Sequence, residues 1–98
     1  MTVRISEFEK NAIIESAKKA DSKARIWLFG SRTDDNKKGG DIDLAILSEK
    51  ISSDAMKKIT VSQLIRSKIG EQKIDIVTSP EGNEAFFRLA VNEGIELL

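Results

Sequence analysis

Ile26-Trp27-Leu28-Phe29-Gly30-Ser31-Arg32, followed after a polar loop by Asp41-Ile42-Asp43-Leu44-Ala45-Ile46-Leu47, decides how this chain is read. The first stretch is an apolar strand ending in a Gly-Ser turn. The second is an apolar strand with two aspartates at its start. Alternate residues of a strand point to one face, so Asp41 and Asp43 project together and Ile42, Leu44 and Ile46 share the opposite face. Two carboxylates side by side repel each other, and aspartate is disfavoured in strands. The pair makes sense beside a cation, and a divalent metal with oxygen ligands is the natural choice.

Outward from that stretch, Ser6-Glu7-Phe8-Glu9 spells a capping box. The helix it opens carries Phe8, Ala12, Ile13, Ala17 and Ala20 as an apolar stripe and ends near Asp21-Ser22. Arg25 to Phe29 is the first strand, and Gly30 ends it where the backbone turns sharply or comes close to something. Residues 32 to 40 are polar, with Lys37-Lys38 and Gly39-Gly40, and have room for a short helix whose first turn includes Ser31. Beyond the second strand, Ser52 or Ser53 is expected to cap a helix with Ala55, Met56, Ile59, Leu64, Ile65 and Ile69 at helical spacing, stopped by Gly70. Lys73 to Val77 reads as a third strand, with Asp75 between two isoleucines. Pro80 or Asn83 is expected to begin the last helix, with Ala85, Phe86, Leu89 and Ala90 toward the core. Glu93-Gly94 closes it, and Ile95 to Leu98 forms a short edge strand. The order predicts an α/β (α+β) fold, one small mixed sheet packed with helices.

Composition narrows the chemistry. The 98 residues suit a single domain, 1–98. Sixteen basic and sixteen acidic residues cancel, which argues against strong nucleic-acid binding driven by phosphate neutralisation. The sequence has no Cys and no His, so thiolate zinc sites, disulfides and imidazole catalysis are excluded. Carboxylates, Ser, Lys and Arg must carry any chemistry. The charged N-terminus does not read as a signal peptide, and the longest apolar runs, Ile26 to Phe29 and Leu44 to Leu47, are too short to span a bilayer. A cytoplasmic protein with no membrane partner is expected.

Asp41, Asp43 and Asp75 are the acids embedded in predicted strands. If the third strand lies beside the second, all three meet at one edge of the sheet. Two would hold Mg²⁺ or Mn²⁺, and the third could help bind metal and take a proton from an attacking hydroxyl. Gly30 and Ser31 offer backbone N–H groups and a hydroxyl suited to triphosphate oxygens. Each piece has a plainer reading. Asp-x-Asp is often a solvated turn, Asp75 could be an outward strand residue paired with Lys73, and Gly-Ser is an ordinary turn. In this order and spacing, the pieces favour a shared metal–nucleotide site. Arg32 either reaches a phosphate or ties down the loop. Lys37 and Lys38 read as a solvated loop face, Arg88 as a surface charge. Trp27, Phe29 and Phe86-Phe87 read as core or partner surface.

Trp27 to Arg32 together with Asp41 to Leu44 resembles the signature of the minimal nucleotidyltransferases, within the DNA polymerase β-like superfamily. That signature is a hydrophobic residue, Gly-Ser, a loop, and Asp-x-Asp on the next strand, with a further carboxylate on a later strand. The loop here is slightly shorter than usual and ends in Gly39-Gly40. The resemblance implies a nucleotidyltransferase fold, with Asp41, Asp43 and Asp75 as metal ligands and catalytic carboxylates. It makes Gly30 and Ser31 the phosphate-binding turn, with Arg32 beside it. It further implies transfer of AMP from ATP to an acceptor hydroxyl. Many such proteins act as the antitoxin of a helical HEPN-domain toxin by adenylylating it, so a tyrosine of such a partner is the expected acceptor, in a hetero-oligomer. Two alternatives stand beside this. One is a non-catalytic subunit that neutralises a helical partner by contact; the other is a small-molecule nucleotidyltransferase acting on an antibiotic, which would need a second chain, in a homo- or hetero-oligomer, to wall off the acceptor pocket.

Overall fold

In the computed structural model, described for residues 5–30, 42–52, 55–70 and 74–97, the first helix begins as its capping box dictates. The Glu9 backbone N–H donates to Ser6 Oγ at 3.1 Å, and the Ser6 N–H donates to Glu9 Oε1 at 2.9 Å. The chain then runs α1 (Glu7–Ala20), β1 (Arg25–Phe29), β2 (Ile42–Leu47), α2 (Glu49–Ser52), α3 (Ala55–Ile69), β3 (Ile74–Ser79), α4 (Ala85–Glu93) and β4 (Ile95–Leu97). The expected α+β class is found. None of the described helices is long and apolar enough to cross a membrane.

The strands lie in the order β3-β2-β1-β4. β1 is antiparallel to both β2 and β4, while β2 and β3 are parallel. A parallel pair needs a crossover, which α2 and α3 supply. On one face, Ile26, Leu28, Ile42, Leu44, Ile46, Ile74, Ile76 and Leu97 bury against Ile13 and Ala17 of α1, Ile51 of α2, and Val61 and Ile65 of α3. On the other, Trp27 and Ala45 pack with Phe87 and Ala90 of α4, flanked by Phe29, Leu47, Val77 and Val91. The Trp27 and Phe87 rings meet edge to face, 6.0 Å between centroids.

Five large apolar side chains expected on packed faces are exposed: Phe8, Met56, Ile59, Phe86 and Leu89. The cause is helical phase. A turn of about 100° per residue carries Phe8 past the arc of Ile13, Ala17 and Ala20. In α3 the buried arc is set by Val61 and Ile65, which puts Met56 and Ile59 on the far side. In α4 it is set by Phe87, Ala90 and Val91, so Phe86 falls on one flank and Leu89 on the outer surface; Ala85 is likewise exposed.

The helix boundaries also differ. A short α2 precedes α3, and its cap is Ser48, whose Oγ accepts the Ile51 backbone N–H at 3.0 Å. Ser52 is the last residue of α2, and Ser53 lies outside the described residues. Glu84, not Pro80 or Asn83, is the N-cap of α4. The preceding turn folds around buried Ser79, whose hydroxyl donates to Glu84 Oε1 at 2.6 Å and accepts from the Gly82 N–H at 2.6 Å. Gly70 does end α3, at φ +89°.

One polar contact pins the entry of β1 to the exit of β2. The Ser48 hydroxyl donates to the carboxylate of buried Asp21 at 2.6 Å, and the Lys23 N–H donates to the same carboxylate at 3.0 Å. These bonds, the Ser48 one foremost, hold the Asp21 pKa below its ordinary value. Stability from a depressed carboxylate is complete above the unfolded value of about 3.9 and fades as pH falls through the lower folded value. Asp21→Asn is therefore expected to cost about 1 to 3 kcal/mol at neutral pH. That deficit should shrink toward zero below the usual carboxylate range, as urea unfolding from pH 7 to pH 2 will show.

Candidate active site

Gly30 follows β1 with φ +78°, a backbone conformation that residues with a Cβ rarely adopt. A Cβ at this position would strike the Asp43 carboxylate. The bare turn thus lies directly against an acid on the neighbouring strand, where Asp43 is the register partner of Phe29. This gives the close approach that the Gly30 position suggests.

Asp43 is also the register partner of Asp75 on β3. Register partners on adjacent parallel strands stand about 4.8 Å apart with side chains on the same face. Asp43 is half-buried and Asp75 exposed. Both lie on the α4 side of the sheet, at the end where β1 finishes and β2 and β3 begin. Two ionised carboxylates this close favour a cation between them.

Of the site residues expected from sequence, the structure therefore brings together Gly30, Asp43 and Asp75. Asp41, Ser31 and Arg32 lie outside the described residues, as do Lys37, Lys38 and Lys73. Among the described residues no group of three or more acidic, His or Cys side chains forms a metal site. The two that meet still fit a hard divalent ion. Mg²⁺ is commonly held by one or two carboxylates, with substrate phosphates and water completing its shell. Asp43 and Asp75 would be its ligands.

The framework around the pair is apolar and tight. Phe29 packs into the α4 cluster beside Asp43, and Gly94 closes the end of α4 onto β1. A Cβ on Gly94 would come within 2.7 Å of the Leu28 carbonyl oxygen and 3.2 Å of Phe29 Cβ. The backbone there is extended, so it is space and not φ that calls for glycine. Sequence reasoning misses the Ser48–Asp21 pin that fixes β2 relative to β1. A serine immediately after a strand and three residues before an isoleucine is the available signal.

The α+β domain thus sets two in-register carboxylates beside a bare glycine turn at one corner of its sheet. The family model described as Polymerase beta, Nucleotidyltransferase matches residues 11–98, and the chain belongs to that family. No curated protein matches the chain. Membership makes this a nucleotidyltransferase domain, with a nucleoside triphosphate as substrate and a divalent metal as the general requirement of such domains.

Proposed function

We propose that the chain transfers AMP from ATP to an acceptor hydroxyl on a separately encoded, mostly helical HEPN-type protein, and so acts as the antitoxin of that partner. The observation that supports transfer most directly is the Asp43–Asp75 register with Gly30 against the Asp43 carboxylate. Gly30 and Ser31 would receive the triphosphate, with Arg32 beside it, and Asp41 and Asp43 would hold the metal with Asp75. A bound divalent ion would neutralise charge on the phosphate oxygens and the leaving group.

The chemistry asked of this chain is limited. The acceptor oxygen forms a bond to the α-phosphorus, the bond to the β-phosphate oxygen breaks, and pyrophosphate leaves. The acceptor proton passes to a carboxylate, and Asp75, the more exposed of the pair, is suited to receive it. The 98 residues contain no Tyr, so a tyrosine acceptor lies outside them.

The test is incubation with the partner, ATP and Mg²⁺, followed by intact mass. The partner should gain one or more AMP units, mapping to tyrosine. Asp41→Asn combined with Asp43→Asn should bind the partner and add nothing. If that double variant still neutralised the partner fully in cells, contact alone would suffice and the antitoxin would not be an enzyme. If the wild type modified only a free small molecule, the protein acceptor would be wrong.

A further inference from the structure

Two glycines bracket α4. Gly82 lies in the turn that leads into it, and Gly94 is its C-cap. Their surroundings differ in kind. The nearest neighbours of a Cβ on Gly82 would be side chains, Leu47 Cδ1 at 3.2 Å and the Phe87 ring at 3.7 and 3.9 Å. A Cβ on Gly94 would meet backbone on two sides. The Leu28 carbonyl oxygen of β1 would stand 2.7 Å from it and the Ala90 carbonyl oxygen of α4 2.8 Å, with Phe29 Cβ at 3.2 Å. The end of a side chain can swing away, but a strand and a helix can only part, and a close-packed interior passes such a displacement on.

Which of the two yields follows from how each is held. α4 is fixed to the sheet by Phe87 on Trp27, with ring centroids 6.0 Å apart. Its N-cap residue Glu84 is bonded to the buried Ser79 hydroxyl at 2.6 Å. β1 is gripped on both sides as far as Leu28, which pairs with Leu44 of β2 and Ile95 of β4. The next residue, Phe29, has a register partner in β2 alone, Asp43. The end of β1 is therefore the softer side. It leads directly into Gly30, whose missing Cβ is what clears the Asp43 carboxylate.

We infer that Gly94 is a positioning residue for the acidic corner. With no side chain, it lets the end of α4 rest on β1, and so sets how closely the Phe29–Gly30 turn approaches Asp43. Its action runs through Leu28 and Phe29. The inference rests on the reading that this corner binds a divalent metal and a nucleoside triphosphate.

Gly94→Ala is the test. A misplacement of about 1 Å can cost about 10²-fold in rate, so the smaller shift forced by one methyl group should cost about tenfold in AMP transfer at saturating ATP, per folded molecule. A second readout does not depend on turnover. Mg²⁺ demands near-ideal octahedral geometry whereas Ca²⁺ accepts irregular shells, so calorimetric ATP affinity should fall at least about threefold with Mg²⁺ and change little with Ca²⁺. Gly82→Ala is the control. At φ +79° it strains the backbone and should lower stability to urea, yet it acts at the far end of α4 and should leave the rate and both affinities unchanged. Should Gly94→Ala not fold, Phe29→Leu keeps the backbone and removes the ring beside Asp43, and the same preferential loss with Mg²⁺ is expected. Equal losses with Mg²⁺ and Ca²⁺ in the folded variant, or a rate per folded molecule matching that of Gly82→Ala, would overturn the inference and leave Gly94 a packing residue. A wild type with no metal-dependent ATP binding would instead remove the reading of the corner itself, and this role with it.

Discussion

Asp75→Asn is expected to slow AMP transfer about 10²- to 10⁴-fold, the usual contribution of a positioned general base, while ATP affinity changes far less. Asparagine keeps the shape of the side chain and so the β2–β3 register, but it cannot take up the acceptor proton. A role exercised in the transition state appears in turnover more than in binding. Single-turnover rates with the partner as acceptor, set beside calorimetric ATP binding, separate the two. An undiminished rate would make Asp75 a structural strand residue and move the base elsewhere. The apo protein should if anything gain stability from the change, because one of two neighbouring negative charges is gone.

Gly30→Val should be nearly as damaging, for a different reason. Valine at φ +78° carries backbone strain of about 1 to 3 kcal/mol, and its Cβ would collide with the Asp43 carboxylate. Asp43 must then move, and a displacement of about 1 Å at a reacting centre can cost about 10²-fold in rate. Gly70 provides the control. It has φ +89° with nothing among the described residues within 4 Å of the position a Cβ would take. Gly70→Val should therefore lose stability on a similar scale but keep its nucleotide kinetics. Equal kinetics in both valine variants would show that Gly30 matters only for its backbone angle.

Much of the acidic corner is legible in the sequence because its residues break a local rule. Aspartate inside an apolar strand is unfavourable unless something compensates it, so Asp43 and Asp75 stand out from their neighbours by residue type alone. Gly30 stands out in a similar way, at the end of a strand too short to need a stop. What composition and period do not supply is the parallel register that sets Asp43 opposite Asp75. That depends on how the α2–α3 crossover returns the chain, a long-range matter. The helices show the complementary failure. Their existence is plain from capping and spacing, but a count of apolar residues does not fix the phase of a stripe, and it wrongly turns Phe8, Met56, Ile59, Phe86 and Leu89 inward. Val61 and Phe87 set that phase, and only the sheet beneath them selects it.

The central position of β1 bears on how this protein is made. β1 pairs on one side with β2, which follows soon after it, and on the other with β4, at Ile26↔Leu97 and Leu28↔Ile95. During synthesis the first of these pairings can form early, whereas the second must wait until residues 95–97 have left the ribosome. Through that interval β1 presents an open row of backbone donors and acceptors on a strand reading Ile-Trp-Leu-Phe, the kind of edge along which unrelated chains join. A ribosome stalled before residues 95–97 would hold out a sticky, half-finished sheet, so the brief β4 is worth more to the nascent chain as a guard than its three residues suggest.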